Sequence, residues 1–262
     1  DACREIGISR VMRRDLSWTE LFPFDASVLF PNRWRSVFQE LGIEDDAELW
    51  GREHVGPLLK EMHEPYPYVA CLVADGDRMG RALDLLSDET QHRDFSRALS
   101  RFATSARDIV ERKHSGVLIY SGGDDVLAFL PLPEALACAE DLRQAFDSAI
   151  GAACTPLPMK DRPTLSVGLG IGHVMEAMGD LLALGREAER EAKRERNSLA
   201  VLVDMRSGGR LTWSAQWGDD DPAGSLRRSM EHLDELLSTR KLYEIASILR
   251  RLPPGSADAR WA

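Results

Sequence analysis

Apolar positions in this chain fall into short strand-length runs separated by longer stretches of helical periodicity. Tyr68-Val69-Ala70-Cys71-Leu72-Val73-Ala74 is nearly continuous, as in a central strand buried on both faces. From about Asp94 to Lys113, Phe95, Leu99, Phe102, Ala106, Ile109 and Val110 repeat at helical spacing. Val117-Leu118-Ile119-Tyr120 and Val126-Leu127-Ala128-Phe129-Leu130, the second stopped by Pro131, flank Ser121-Gly122-Gly123-Asp124-Asp125 and predict a hairpin. Pro133 and Glu134 open another helix, with Leu136, Ala139, Leu142, Phe146 and Ile150 as its buried stripe. Residues 164–171 alternate strictly as a strand, whose Gly168, Gly170 and Gly172 make room for something on one face. A charged helix from about Gly179 to Arg194, a last strand Leu199–Val203 and a turn at Ser207-Gly208-Gly209 follow.

The flanks are less regular. Residues 1–64 read as an approach segment packing on the next domain, with short helices over 32–41 and about 46–62. Residues 65–212 form the main domain. Residues 213–262 begin a helical region, with one helix from about Leu226 to Ser238 and another through Tyr243, Ile245 and Leu249. The order of elements in the main domain predicts an α+β fold. It is a ferredoxin-like βαββαβ unit with a helix and strand added, one antiparallel sheet backed by helices. In that topology Asp75, after the first strand, faces Asp124 and Asp125 at the hairpin tip.

Composition narrows the possibilities. With 262 residues, 44% of them hydrophobic, the chain can bury a sizeable core. Its net charge of −10 argues against gripping nucleic acid by bulk field. No apolar run approaches the roughly 20 residues that span a bilayer, and no secretory pattern opens the chain, which predicts a cytoplasmic protein without a membrane partner. Cys3, Cys71, Cys138 and Cys154 form no Cys-x-x-Cys pair, so neither a zinc ribbon nor a disulfide framework is expected. The first residue, Asp1, predicts a piece of something longer.

The chemistry concentrates in the carboxylates. Adjacent aspartates at a tight turn repel one another unless a positive charge is near. Asp75, Asp124 and Asp125, with glycines and no histidine or thiolate, are hard oxygen ligands that suit Mg²⁺ or Mn²⁺. Two such ions about 4 Å apart clamp an in-line displacement at phosphorus. Asp77, at the end of the same buried strand, reads as the cap of a helix starting near Arg78, with a ligand-side carboxylate as the alternative. His173, alone after a strand, reads as structural, with nucleotide contact as the alternative.

The paired motifs Asp75-Gly76-Asp77-Arg78-Met79-Gly80 and Gly122-Gly123-Asp124-Asp125, with Ala192-Lys193 through Arg196-Asn197 downstream, resemble the second palm of the large Cas-ten subunit of type III CRISPR effectors, in its Cmr branch. The resemblance covers about residues 29–209. It implies a palm fold of the nucleotide cyclase and polymerase type, and the joining of ATP into cyclic oligoadenylates. It further implies Asp75, Asp124 and Asp125 as catalytic metal ligands, with the Gly76 carbonyl beside them. Ser121, Gly122, Gly123, Lys193 and Arg196 become nucleotide contacts, Lys193 meeting the triphosphate. Glu195 stands where the family has glycine, which leaves Arg194 and Arg196 as alternatives to Lys193. Partners implied are a first palm of the same full-length protein and the other effector subunits, with guide and target RNA. A diguanylate-type cyclase and a catalytically silent scaffold palm are the competing readings.

Overall fold

The computed structural model describes residues 2–5, 7–8, 25–62, 65–155, 157–205, 209–218 and 221–236. The chain divides into two compact units, residues 1–216 and 217–262.

The first unit is built on a six-stranded sheet in the order β2-β3-β1-β4-β5-β6. Its strands are β1 (Tyr68–Asp77), β2 (Val117–Gly122), β3 (Asp125–Pro131), β4 (Thr164–His173), β5 (Ser198–Met205) and β6 (Gly209–Gln216). The helices in chain order are α1 (Trp34–Leu41), α2 (Ala47–His54), α3 (Gly56–Met62), α4 (Met79–Leu85), α5 (Glu89–Arg107), α6 (Ala135–Ala153) and α7 (Met178–Glu195). The order β2-β3-β1-β4 is that of a ferredoxin-like unit, so the α+β expectation holds. Pairing is antiparallel except between β4 and β5. Crossover through α7 returns the chain to the end where β4 began, which makes that pair parallel.

Several elements differ from the sequence reading. β1 does not stop at Ala74: it pairs with β4 through Asp77, so the Asp-Gly-Asp stretch is strand. The long helix ends at Arg107 and continues as a π-helix over Asp108–Lys113. The predicted turn at Gly209 instead opens β6, which carries the sheet to Gln216 and beyond the expected boundary at 212. Its alternation of Leu211, Trp213 and Ala215 was available, but this edge strand is mostly exposed and carries no apolar run.

Both faces of the central strands are covered. Gly168 and Gly170 leave no room for a Cβ against α7. One on Gly168 would stand 2.6 Å from Glu189 Cα, and one on Gly170 would stand 2.7 Å from Gly185 Cα. The predicted room on this face is therefore filled by helix backbone. Leu165, Val167 and Leu169 point to the opposite face and are fully buried. There α5 and α6 pack, with Phe102 and Phe146 edge to face at 5.1 Å.

In the approach segment, the expected helix over 46–62 is two helices, broken at Val55. Trp34, Phe38, Ala47 and Val55 form a small core of their own, against which Leu29, Ile43, Trp50 and Leu59 pack. The second unit contains helix α8 (Pro222–Leu236), starting four residues before the expected Leu226, with Asp221 Oδ1 accepting from Gly224 N at 2.9 Å. The helix predicted through Tyr243, Ile245 and Leu249 lies outside the described residues.

Candidate active site

β1 and the β2–β3 hairpin meet as the topology requires. Ala74 pairs with Val126, so the next residue of β1, Asp75, stands at the hairpin tip beside Asp125. Carboxylate oxygens of Asp75, Asp124 and Asp125 all lie within 4.8 Å of one another. Gly123 turns the tip with φ +66°, a conformation that costs glycine nothing. A side chain on Gly122 would collide with the phenol of Tyr120. On the far side, a Cβ on Gly76 would stand 2.6 Å from Asp124 Oδ2, so only glycine admits that carboxylate.

Lys193 reaches this cluster from α7. Gly185 lies over Gly170 and Cys71, and Glu189 over Gly168. Four residues of helix rise about 6 Å and two of strand about 6.7 Å, so the two elements keep step. The next helical position in that row is Lys193, and the next strand position is Ser166, paired with Asp75. Lys193 Nζ donates to the Gly76 carbonyl at 2.8 Å and the Asp75 carbonyl at 3.0 Å. It also forms ion pairs with the Asp75 carboxylate and, at 3.1 Å, with Asp77.

The electrostatics follow from this crowding. A hydrogen bond with Asp75 first, then burial and the charges of Asp75 and Asp124, push the Asp125 carboxyl up to about 7 against the pull of Lys193. Burial raises Asp124 too, offset in part by backbone hydrogen bonds, one of them from Gly76. Burial chiefly raises Glu189, one helical turn before Lys193. An oxygen-only set this short of positive charge fits a hard divalent cation, with Asp75, Asp124, Asp125 and the Gly76 carbonyl as the donors at hand.

Other predicted residues are placed as follows. The Ser121 hydroxyl turns to α5 and donates to the Ala103 carbonyl at 3.2 Å. Arg194 pairs with Glu191 at 3.1 Å. Arg196 is exposed and follows the last turn of α7 with φ 57° and ψ 164°. His173 stands at the far end of β4, edge to face with Tyr68 and bonded at Nδ1 to Met175 N, a structural role.

Asp77 corrects the sequence reading. It does not cap α4: the N-cap position is Arg78, whose side chain makes no capping bond. The Asp77 carboxylate is buried and accepts from Thr164 Oγ1 at 2.8 Å, Ser166 Oγ at 2.9 Å and Asn197 N at 2.9 Å. The β1–β4 register put this polar pocket together, and nothing local in the sequence announced it.

Fold and site together define a palm-type α+β sheet that carries a carboxylate cluster at the junction of its first strand and a Gly-Gly-Asp-Asp hairpin. Residues 68–200 match the Cas10/Cmr2 second palm domain, and the chain belongs to that family. The CRISPR system Cmr subunit Cmr2 of Pyrococcus furiosus is 31% identical over 218 residues, covering 70% of this chain and 24% of the relative. The chain thus spans about a quarter of that relative's length. Among solved structures, the guanylyl cyclase Cya2 overlaps 58% of this chain and 94% of its own at 13% identity and a TM-score of 0.40. A Csm1-Csm4 cassette in complex with cA4 overlaps 56% of this chain and 23% of its own at 19% identity and a TM-score of 0.41. Likenesses of that size carry no argument about function. Among the described residues, no helix is long and apolar enough to cross a membrane.

Proposed function

We propose that this palm is a nucleotidyltransferase site of a type III CRISPR effector, joining ATP into cyclic oligoadenylates. The observation that carries the reading is the convergence of Asp75, Asp124 and Asp125 with Lys193 at one corner of a Cas10/Cmr2 palm. Asp75, Asp124, Asp125 and the Gly76 carbonyl would hold Mg²⁺ or Mn²⁺. Such ions, when bound, activate an attacking hydroxyl and neutralise charge on the triphosphate and its leaving group. The protein offers no nucleophile of its own and acts by position and charge. Lys193, which donates to the Gly76 carbonyl, would turn to the triphosphate when a nucleotide is bound. Gly123 leaves the tip open to close backbone approach, and the backbones of Ser121 and Gly122 and the Arg196 side chain would lie beside the nucleotide.

This piece needs partners. The attacking 3′-hydroxyl belongs to a second nucleotide, held about 3 to 3.5 Å from the reacting phosphorus. The described residues contain one such carboxylate cluster. A first palm of the full-length protein supplies the second nucleotide's place, and RNA-bearing subunits license the reaction in the cytoplasm. The test incubates the assembled effector with target RNA, Mn²⁺ and labelled ATP or GTP. Cyclic oligoadenylates from ATP, lost in Asp124→Ala/Asp125→Ala with the fold intact, are expected. Product surviving in the double variant, or made from GTP instead, overturns the reading. The isolated chain is expected to bind ATP without efficient turnover, and rapid synthesis by the chain alone would refute the need for partners.

A further inference from the structure

We propose that Asp77 is the positioning residue of this site, fixing the cationic end of α7 over the carboxylates without binding metal itself. This rests on the nucleotidyltransferase reading above.

Asp75 and Asp77 leave β1 on the same face, yet their surroundings differ. Asp75 is half-buried at the hairpin tip. Asp77 is 2% exposed, and both its oxygens are occupied. Oδ1 faces Lys193 Nζ at 3.1 Å and shares the single Ser166 hydroxyl hydrogen with Oδ2, Oγ standing at 3.0 Å. Oδ2 accepts from Thr164 Oγ1, Ser166 Oγ and Asn197 N. A carboxylate so enclosed and so satisfied has no free lone pair aimed at the cluster of Asp75, Asp124 and Asp125.

What it holds is strained. Arg196 has φ 57° and ψ 164°, a region that is nearly glycine's alone, and Asn197 follows with φ 45°. Two successive non-glycine residues with positive φ persist only where their surroundings over-determine them. Asp77 does so from one side, by taking the Asn197 N–H. Ser198 Oγ does so from the other, its single hydrogen lying between the Ala192 carbonyl at 2.7 Å and the Arg196 carbonyl at 3.0 Å. One buried carboxylate therefore joins β1, β4 and the α7–β5 turn, and sets where Lys193 and Arg196 stand. A nucleotide that Lys193 and Arg196 meet would feel the loss of Asp77 through them.

The experiment compares Asp77→Ala, Asp77→Asn and Asp75→Ala in the assembled full-length protein. Three measurements are made: Mn²⁺ affinity by titration, amide exchange of residues 193–199, and steady-state kinetics for KM and kcat with ATP. Asp77→Ala is expected to keep wild-type Mn²⁺ affinity while exchange at Asn197 accelerates. Its KM for ATP rises about tenfold or more, with kcat changed less, because the triphosphate contacts are displaced rather than removed. Asp77→Asn keeps an oxygen for the Asn197 N–H, so slow exchange and most of the KM are restored. Mn²⁺ affinity falling in Asp77→Ala as far as in Asp75→Ala would make Asp77 a ligand and overturn the proposal. So would an unchanged KM with accelerated exchange. If Asp77→Ala fails to fold, Asp77→Asn decides: slow exchange with a modest KM rise supports the role, and fast exchange refutes it. If the wild type forms no product from ATP, the functional reading fails, and exchange with Mn²⁺ affinity still decides the role of Asp77.

Discussion

Gly76 lies against Asp124, the Asp124 Cβ standing 2.8 Å from where a Gly76 side chain would begin. Met79 Cγ closes the same space at 2.9 Å. Gly76→Ala must therefore push Asp124 away from Asp75, since the strand backbone is pinned by its pairing with Leu165. Mn²⁺ affinity is expected to fall by about tenfold to a hundredfold, the scale for disturbing the support of a ligand set. Titration with Mn²⁺ checks it, and wild-type affinity in Gly76→Ala would show that Asp124 is not a ligand.

Asp125 gives the site a pH dependence. Its carboxyl is held up near 7 by Asp75, against an ordinary value of 3.8. The protonated form is the one the metal-free fold favours. Its contribution to stability is thus full below about 3.8 and is lost as pH rises through about 7. A cation must displace the Asp125 proton, so Mn²⁺ affinity should rise with pH through about 7, with about one proton released per site. Calorimetry in two buffers of different ionisation enthalpy measures the release. Asp125→Asn should release less and should remove this stability loss in metal-free protein.

Gly168 and Gly170 test the close approach of helix to sheet. An alanine Cβ at Gly168 would meet the backbone of Ala188 and Glu189, and backbone cannot swing aside. Gly168→Ala should cost about 2 to 3 kcal/mol, as overpacking of a rigid contact does. Urea unfolding reads the cost. The variant should also weaken ATP binding more than Mn²⁺ binding, because α7 carries Lys193 while β1 and the hairpin carry the carboxylates.

At the other end of the hairpin, His114 is buried between two carboxylates, Nδ1 at 2.8 Å from Glu134 and Nε2 at 2.5 Å from Asp141. Lys113 Nζ joins Asp141 at 2.7 Å. Burial would raise Asp141, but Lys113 and His114 outweigh it and hold the carboxyl below its usual 3.8. The stability it brings is therefore present above about 3.8 and is lost as pH falls through its lower folded value. Asp141→Asn should lose about 1.5 to 3 kcal/mol at neutral pH, the scale of a hydrogen bond to a charged group. Thermal melts from pH 7 to pH 3 should show that difference shrinking with acid, and a constant difference would refute the assignment.

The strand runs 68–74, 117–120 and 126–130 were legible because their apolar patterns are local and strong, and the Gly-Gly turn marks its own hairpin. From these, the meeting of Asp75 with Asp124 and Asp125 followed by topology. β6 was missed because an exposed edge strand needs no apolar run, and the π-helix because it repeats the same residues at nearly the same period. The glycines of β4 announced a close neighbour without naming it. Asp77 was misread because capping is a local habit of aspartate, whereas its real partners, Ser166 and Asn197, are 89 and 120 residues away.

The sequence by itself determined the strands other than β6, the main helices, the hairpin and the chemical character of the site, since period, turn chemistry and carboxylate content are properties of short segments. Only the tertiary structure decided which residues share a pocket. The pairing of Asp77 with Thr164 places that carboxylate in the polar pocket of β4. The glycine-floored contact of α7 on β4 carries Lys193 to the Asp75 and Gly76 carbonyls. Both depend on register and on the distance between elements, which are set by long-range packing and leave no mark on the residues next to them in the chain.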